Sequence, residues 1–165
     1  MSRLKKRKPQ NPQNAIHPSV GIHVWYNGAD GVGDRITPAG DIEVGEFVCG
    51  FGGKPSKIIS TRTRTTETDM VTIKFDDGSS ISTEPWHVVM MYTPDAHGAA
   101  IWSHVDDLSA GDVVASISPS SGAVSPLRVR RVTTEHLAGN SNGIEMEISP
   151  GDTVVFGNGV IGRWY

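Results

Sequence analysis

Thr83 and His87 stand four residues apart in the stretch Lys74-Phe-Asp-Asp-Gly-Ser-Ser-Ile-Ser-Thr83-Glu-Pro-Trp-His87-Val-Val-Met-Met-Tyr92. Imidazole is the side chain that most readily exchanges a proton near neutral pH, so a His with a nearby hydroxyl is a candidate acid–base pair. The plainer reading of His87 is preferred: a His beside Trp86 on a buried strand is most often a hydrogen-bonded core residue. Other groupings carry less. His97 and His104 with Asp95, Asp106 and Asp107 form the one metal-ligand-like cluster, but their spacing fits no standard ligand pattern and suits a solvated loop. No glycine loop of the phosphate-binding kind leads into a helix. The expectation is therefore no metal and no cofactor. The single Cys, Cys49, allows no internal disulfide and reads as a small apolar core residue.

The elements that must position these residues are short strands. Met70–Phe75 and Ser80–Thr83 flank Asp-Asp-Gly-Ser, a strong hairpin signal. Ile22–Tyr26 is β-branched and aromatic, and Val88–Tyr92 reads as a buried strand. Lys57–Thr66 alternates polar residues in the manner of an edge strand with one solvated face. Leu127–Thr133 alternates too, and Ile144–Ile148, Thr153–Phe156 and Val160–Ile161 close the chain as three short strands. Trp102–Leu108 suits one helical turn or a strand end. With 19 Gly and 10 Pro in 165 residues and no long helical period, the fold class expected is all-β.

Charge divides the chain. Arg3, Lys5, Lys6, Arg7 and Lys8 place five positive charges in the first eight residues, leaving 10 basic against 18 acidic residues in the remainder. Pro9, Pro12 and Pro18 among Gln and Asn extend this basic segment, so residues 1–19 are expected as an arm and 20–165 as the domain. A basic arm on an acidic body predicts an anionic contact, a neighbouring acidic or capsid subunit surface ahead of nucleic acid. Aromatic content of 7%, not interleaved with basic residues, argues against a sequence-reading nucleic-acid domain. No run approaches the ~18 apolar residues of a membrane helix, and no apolar segment follows the N-terminal charges as in a secretory signal.

Taken in order, four blocks resemble the Hint domain shared by inteins and hedgehog autoprocessing proteins. They are Val44–Val48, Asp77-Gly78 through His87, Leu108-Ser-Ala-Gly-Asp112-Val113, and Thr153–Ile161, within a likeness that runs from about Ile22 to Ile161. The resemblance implies a compact Hint-like assembly of short strands. It also implies a chemistry. A Cys, Ser or Thr at the first position attacks the preceding carbonyl, a block His protonates the departing amide nitrogen, a Thr three residues before that His orients the amide, and a terminal His-Asn pair lets Asn cyclise.

This sequence departs from that pattern. Thr83 is four residues before His87 rather than three, and Arg163-Trp164 occupy the terminal His-Asn positions. Ser19 is the best-placed hydroxyl for the nucleophile, although it follows Pro18. Thr133-Thr-Glu-His136 has the family spacing but lies after the Gly-Asp marker. The expectation is thus a non-catalytic structural or interaction protein on a Hint-like frame, its arm uncleaved. By analogy with tailed bacteriophages it is expected as a capsid-decorating or other virion component, and otherwise as a cytoplasmic protein. The alternative is autocatalytic cleavage or splicing, with His87 as acid, Thr83 as orienting group and Ser19 as nucleophile.

Overall fold

A computed structural model describes residues 14–26, 33–51, 55–65, 69–94, 100–118, 121–135 and 142–164. The arm residues Arg3, Lys5, Lys6, Arg7 and Lys8 lie outside the described residues, as do Asp95, His97 and His136. The elements in chain order are β1 (Gly21–Tyr26), β2 (Gly33–Pro38), β3 (Phe47–Cys49), β4 (Pro55–Thr65), β5 (Met70–Phe75), β6 (Ser80–Thr83) and β7 (Val88–Met90). They continue as β8 (Trp102–His104), β9 (Val113–Ile117), β10 (Val124–Glu135), β11 (Asn142–Ser149), β12 (Thr153–Val155) and β13 (Ile161–Arg163). The helical pieces among the described residues are two single 3₁₀ turns, Ala39–Asp41 and Val105–Asp107. The fold is all-β.

Three antiparallel sheets have the orders β11-β4-β3-β1-β2, β6-β5-β10-β9 and β12-β13-β7-β8. The Asp-Asp-Gly-Ser turn closes the β5–β6 hairpin, with Gly78 at φ +86°, a conformation that favours glycine. β7 is buried along its whole length because it faces two apolar clusters at once. Val89 belongs to the cluster that holds Ile22, Ile73, Phe75 and Phe156, whereas Val88 and Met90 belong to the one that holds Trp102, Ile117 and Ile161. That double burial explains its uninterrupted apolar sequence. Cys49 is buried in the second cluster.

Two expectations change. β4 is an edge strand only in part: Pro55–Lys57 pair with β3 on one side, while Lys57–Thr65 pair with β11 on the other. Residues 14–19, placed with the arm from their polarity and prolines, pack with the body. Ala15 and Ile16 are fully buried. Ile16 threads between β6 and β11, exchanging both backbone hydrogen bonds with Ile144 at 3.0 and 2.8 Å, while His17 N–H donates to Ser82 O at 2.9 Å. Two apolar residues are too short a run to reveal a strand by periodicity.

Gly159 sits in the β12–β13 turn at φ +89°, where an added Cβ would lie 2.7 Å from the carbonyl oxygen of Ile117. Gly159→Ala is expected to destabilise the domain by about 1–3 kcal/mol, from backbone strain and overpacking together. Urea unfolding at neutral pH measures it.

Candidate functional site

The sequence Glu84-Pro85-Trp86-His87 forms a β-turn, closed by His87 N–H donating to Glu84 O at 3.2 Å. Proline suits its second position because its fixed φ is the one that the turn requires. The ends of a β-turn are close in space, so Glu84 and His87 face the same object. That object is the peptide bond between Asn14 and Ala15. His87 Nδ1 lies 2.8 Å from the Asn14 carbonyl oxygen. On the other side of the bond, Ala15 N–H donates to Glu84 Oε1 at 3.0 Å. Glu84 N–H then donates to Ala15 O at 2.8 Å, which fixes the register of the threaded segment.

The turn is held from beneath by the segment after β8. Val105 N–H donates to His87 O at 2.9 Å and Asp106 N–H to Pro85 O at 3.3 Å. His104 Nδ1–H donates to Trp86 O at 3.1 Å, and the His104 and Trp86 rings meet edge to face at 4.5 Å. The Val105-Asp-Asp-Leu block therefore acts on the site by satisfying the turn's carbonyls.

A carbonyl oxygen can only accept, so His87 carries its proton on Nδ1. Its Nε2 is buried with no partner among the described residues. The ring packs against Phe156 at 5.6 Å and edge to face against Trp164 at 5.2 Å. Gly162 closes the remaining side, where a Cβ would come within 2.7 Å of Nε2. Burial among these groups lowers the His87 pKa from 6.5 to about 4; the Asn14 hydrogen bond opposes that shift, and His104 adds to it. At neutral pH the imidazole is uncharged, and its chemistry is that of a fixed N–H donor aimed at a carbonyl.

The structure places the sequence candidates unequally. His87 is the centre of the site. Thr83 is fully buried beside it, but its hydroxyl donates to Glu84 O at 2.9 Å and braces the turn. Ser19 is exposed and its hydroxyl lies 2.7 Å from His17 Nδ1; the bond facing His87 is 14–15, not the one before Ser19. Among the described residues no group of His, Cys, Asp and Glu side chains could hold a metal. His104 serves the turn, and no described helix is long and apolar enough to cross a membrane.

Glu84 and Asn14 were missed as site residues. The signal for Glu84 was its position: it is the residue three before His87, the spacing that Thr83 fails to meet. Nothing local in the sequence marks Asn14-Ala15.

Neither a family model nor a curated protein matches the sequence. Solved structures match its architecture over almost its full length. An intein from a hyperthermophile superposes with a TM-score of 0.76 at 14% identity, covering 92% of this chain and 99% of that one. The transcription factor IIB Mvu mini-intein gives 0.68 at 12% identity, covering 91% and 100%. The gp41-1 intein gives 0.63 at 13% identity, covering 92% and 98%. The chain has the Hint fold. The resemblance carried by four short sequence blocks is thus met by the architecture, and the Glu84–His87 turn lies inside one of those blocks.

Burying His87 makes the stability of this Hint domain depend on pH. The unfolded chain binds a proton at 6.5 and the folded chain only near 4, so the unfolded state holds more protons between those values. Folding stability should therefore be complete above about pH 6.5, fall as pH drops through that window, and lose about 3 kcal/mol from this group once pH passes 4. Denaturant unfolding of the wild type and His87→Gln at a series of pH values measures it. The variant is expected to lack this component of the slope.

Proposed function

We propose that this Hint domain acts on its own backbone, cutting the peptide bond between Asn14 and Ala15 and releasing the segment ahead of Ala15. The observation that supports this is the buried hydrogen bond from His87 Nδ1 to the Asn14 carbonyl, 2.8 Å long. Breaking an amide builds negative charge on the carbonyl oxygen and requires a proton on the departing nitrogen. A pre-positioned N–H on the oxygen answers the first need, and it counts for more where water is excluded. Glu84 Oε1, 3.0 Å from the Ala15 nitrogen, is the acid–base group nearest the second. The architectural likeness to inteins supports the same direction, action of a chain upon itself.

Cleavage is proposed in preference to splicing. Residue 15 is Ala, so the position directly after the held carbonyl has no hydroxyl or thiol to take the acyl group. At the other end of the fold it is Trp164 that meets His87, and an indole has no cyclising amide.

The same alanine favours a second reading. With no nucleophile at 15, the Glu84 and His87 contacts would anchor a basic arm to a non-catalytic interaction module, a virion component in the strongest form of that idea. Intact-mass measurement of the purified full chain over time, with N-terminal sequencing, separates the two. Self-cleavage predicts a product that begins at Ala15, forming at least about 100-fold more slowly in His87→Ala. A chain that stays whole across the pH range in which it remains folded would select the anchoring role.

A further inference from the structure

We propose that the outward face of the β5–β10 pair is a phosphate-binding site, formed by Lys74, Arg130 and Arg131, that takes a phosphate group either free or as a small monoester. The site is separate from the 14–15 bond and does not depend on that bond being cut.

Strand alternation builds the face. In β5, Val71, Ile73 and Phe75 turn into the core and leave Thr72 and Lys74 outward. In β6, Ile81 and Thr83 turn inward and Ser80 and Ser82 outward. Register then sets Ser80, Lys74 and Arg131 side by side in one outward row across three strands. The next row is Ser82, Thr72 and Thr133, with the Thr72 and Ser82 hydroxyls 2.8 Å apart. Between Val129 and Arg131 the pairing shifts, so Arg130 is the extra residue of a β-bulge. A bulge re-aims the side chains beside it. Here Lys74, Arg130 and Arg131 together line a concavity of about 220 Å³.

The charges in that concavity are unbalanced. Like charges directly opposite on neighbouring strands repel, and Lys74 and Arg131 are such a pair. A neighbouring carboxylate would relieve them, yet among the described residues none forms an ion pair with Lys74, Arg130 or Arg131. This happens on a chain with 18 acidic and 15 basic residues, where carboxylates are the commoner charge. A bound anion would offset the repulsion.

The donors set the class of anion. Two guanidinium forks and one ammonium approach from two different strands. A tetrahedral phosphate presents oxygens in several directions, whereas a carboxylate presents two in one plane. Phosphate also carries close to two negative charges at neutral pH, which suits three cations better than one charge would. A nucleic-acid strand is the poorer fit, because no aromatic platform lines the concavity beside the cations.

The test is calorimetric titration of the full chain with inorganic phosphate and with phenyl phosphate at neutral pH and constant ionic strength, with chloride and acetate for comparison. The expected result is saturable one-to-one binding of phosphate, millimolar or tighter, and a thermal unfolding temperature that phosphate raises and chloride does not. Lys74→Gln, Arg130→Gln and Arg131→Gln should each weaken binding at least about 10-fold. Arg128→Gln, on the same strand but outside the concavity, should leave it unchanged. Without phosphate, Lys74→Gln should unfold no earlier than the wild type, since it removes one of two opposed charges; the wild-type titrations keep the test decisive if a variant fails to fold. Equal binding of both probes would support the site with the phosphate group itself as ligand, and binding of phenyl phosphate alone would support it with a phosphorylated molecule as the source. No saturable binding, acetate bound as tightly as phosphate, or affinity unchanged in Arg131→Gln would overturn the inference. So would binding confined to a single-stranded oligonucleotide with a steep salt dependence.

Discussion

The hydrogen bond between His87 and the Asn14 carbonyl lies where water cannot compete for either partner, and much of the surrounding structure exists to keep it so. Ile16 locks the threaded segment between β6 and β11, which fixes the height of the 14–15 peptide. The Glu84–His87 turn then places one polar group on each side of that peptide. Beneath the turn, the backbone N–H groups of Val105 and Asp106 satisfy the carbonyls of His87 and Pro85, so the turn can be buried without orphaned acceptors. Above it, Phe156, Gly162 and Trp164 cover the imidazole.

That arrangement has an energetic cost. Excluding water from His87 leaves Nε2 without a partner among the described residues, a penalty of about 1–3 kcal/mol for a buried polar atom. It also holds the ring neutral when a solvated histidine would begin to charge. A core histidine kept only for packing would be cheaper as an apolar residue of similar volume. An uncharged N–H donor directed at a carbonyl, in a site lined by aromatic rings, is the pattern expected where charge develops on an oxygen. Gly162 shows how close the fit is: no larger residue leaves room for the imidazole.

The Hint architecture persists here around altered groups. Glu84 occupies the spacing at which the family resemblance implies a threonine, and Thr83, one residue earlier, braces the turn through the Glu84 carbonyl. A carboxylate takes the amide N–H on one side of the bond, and an imidazole N–H takes the carbonyl on the other. Ala15 follows the held carbonyl and Asn14 carries it. The frame fixes where a peptide bond is presented; the side chains at 14, 15, 84 and 87 decide what can happen to it.

Much of the fold was legible in the sequence because it is written in local terms. Asp-Asp-Gly-Ser between alternating runs specifies the β5–β6 hairpin, and the unbroken apolar run from Val88 specifies a strand buried on both faces. His87 stood out for the same reason, as a titratable residue inside such a run. What the sequence alone determined was the all-β class, the strand-rich order and one of the site's two principal side chains. Tertiary structure decided the rest. Asn14-Ala15 lies about 70 residues from the Glu84–His87 turn, and no periodicity links them. Only the turn's geometry makes Glu84 the partner of His87 across the 14–15 peptide. That the 14–15 peptide bond faces His87, rather than the bond before Ser19, depends on Ile16 pairing with β6 and β11 together. Pairing between distant strands is set by burial of the whole sheet, and that is information no short window of sequence contains.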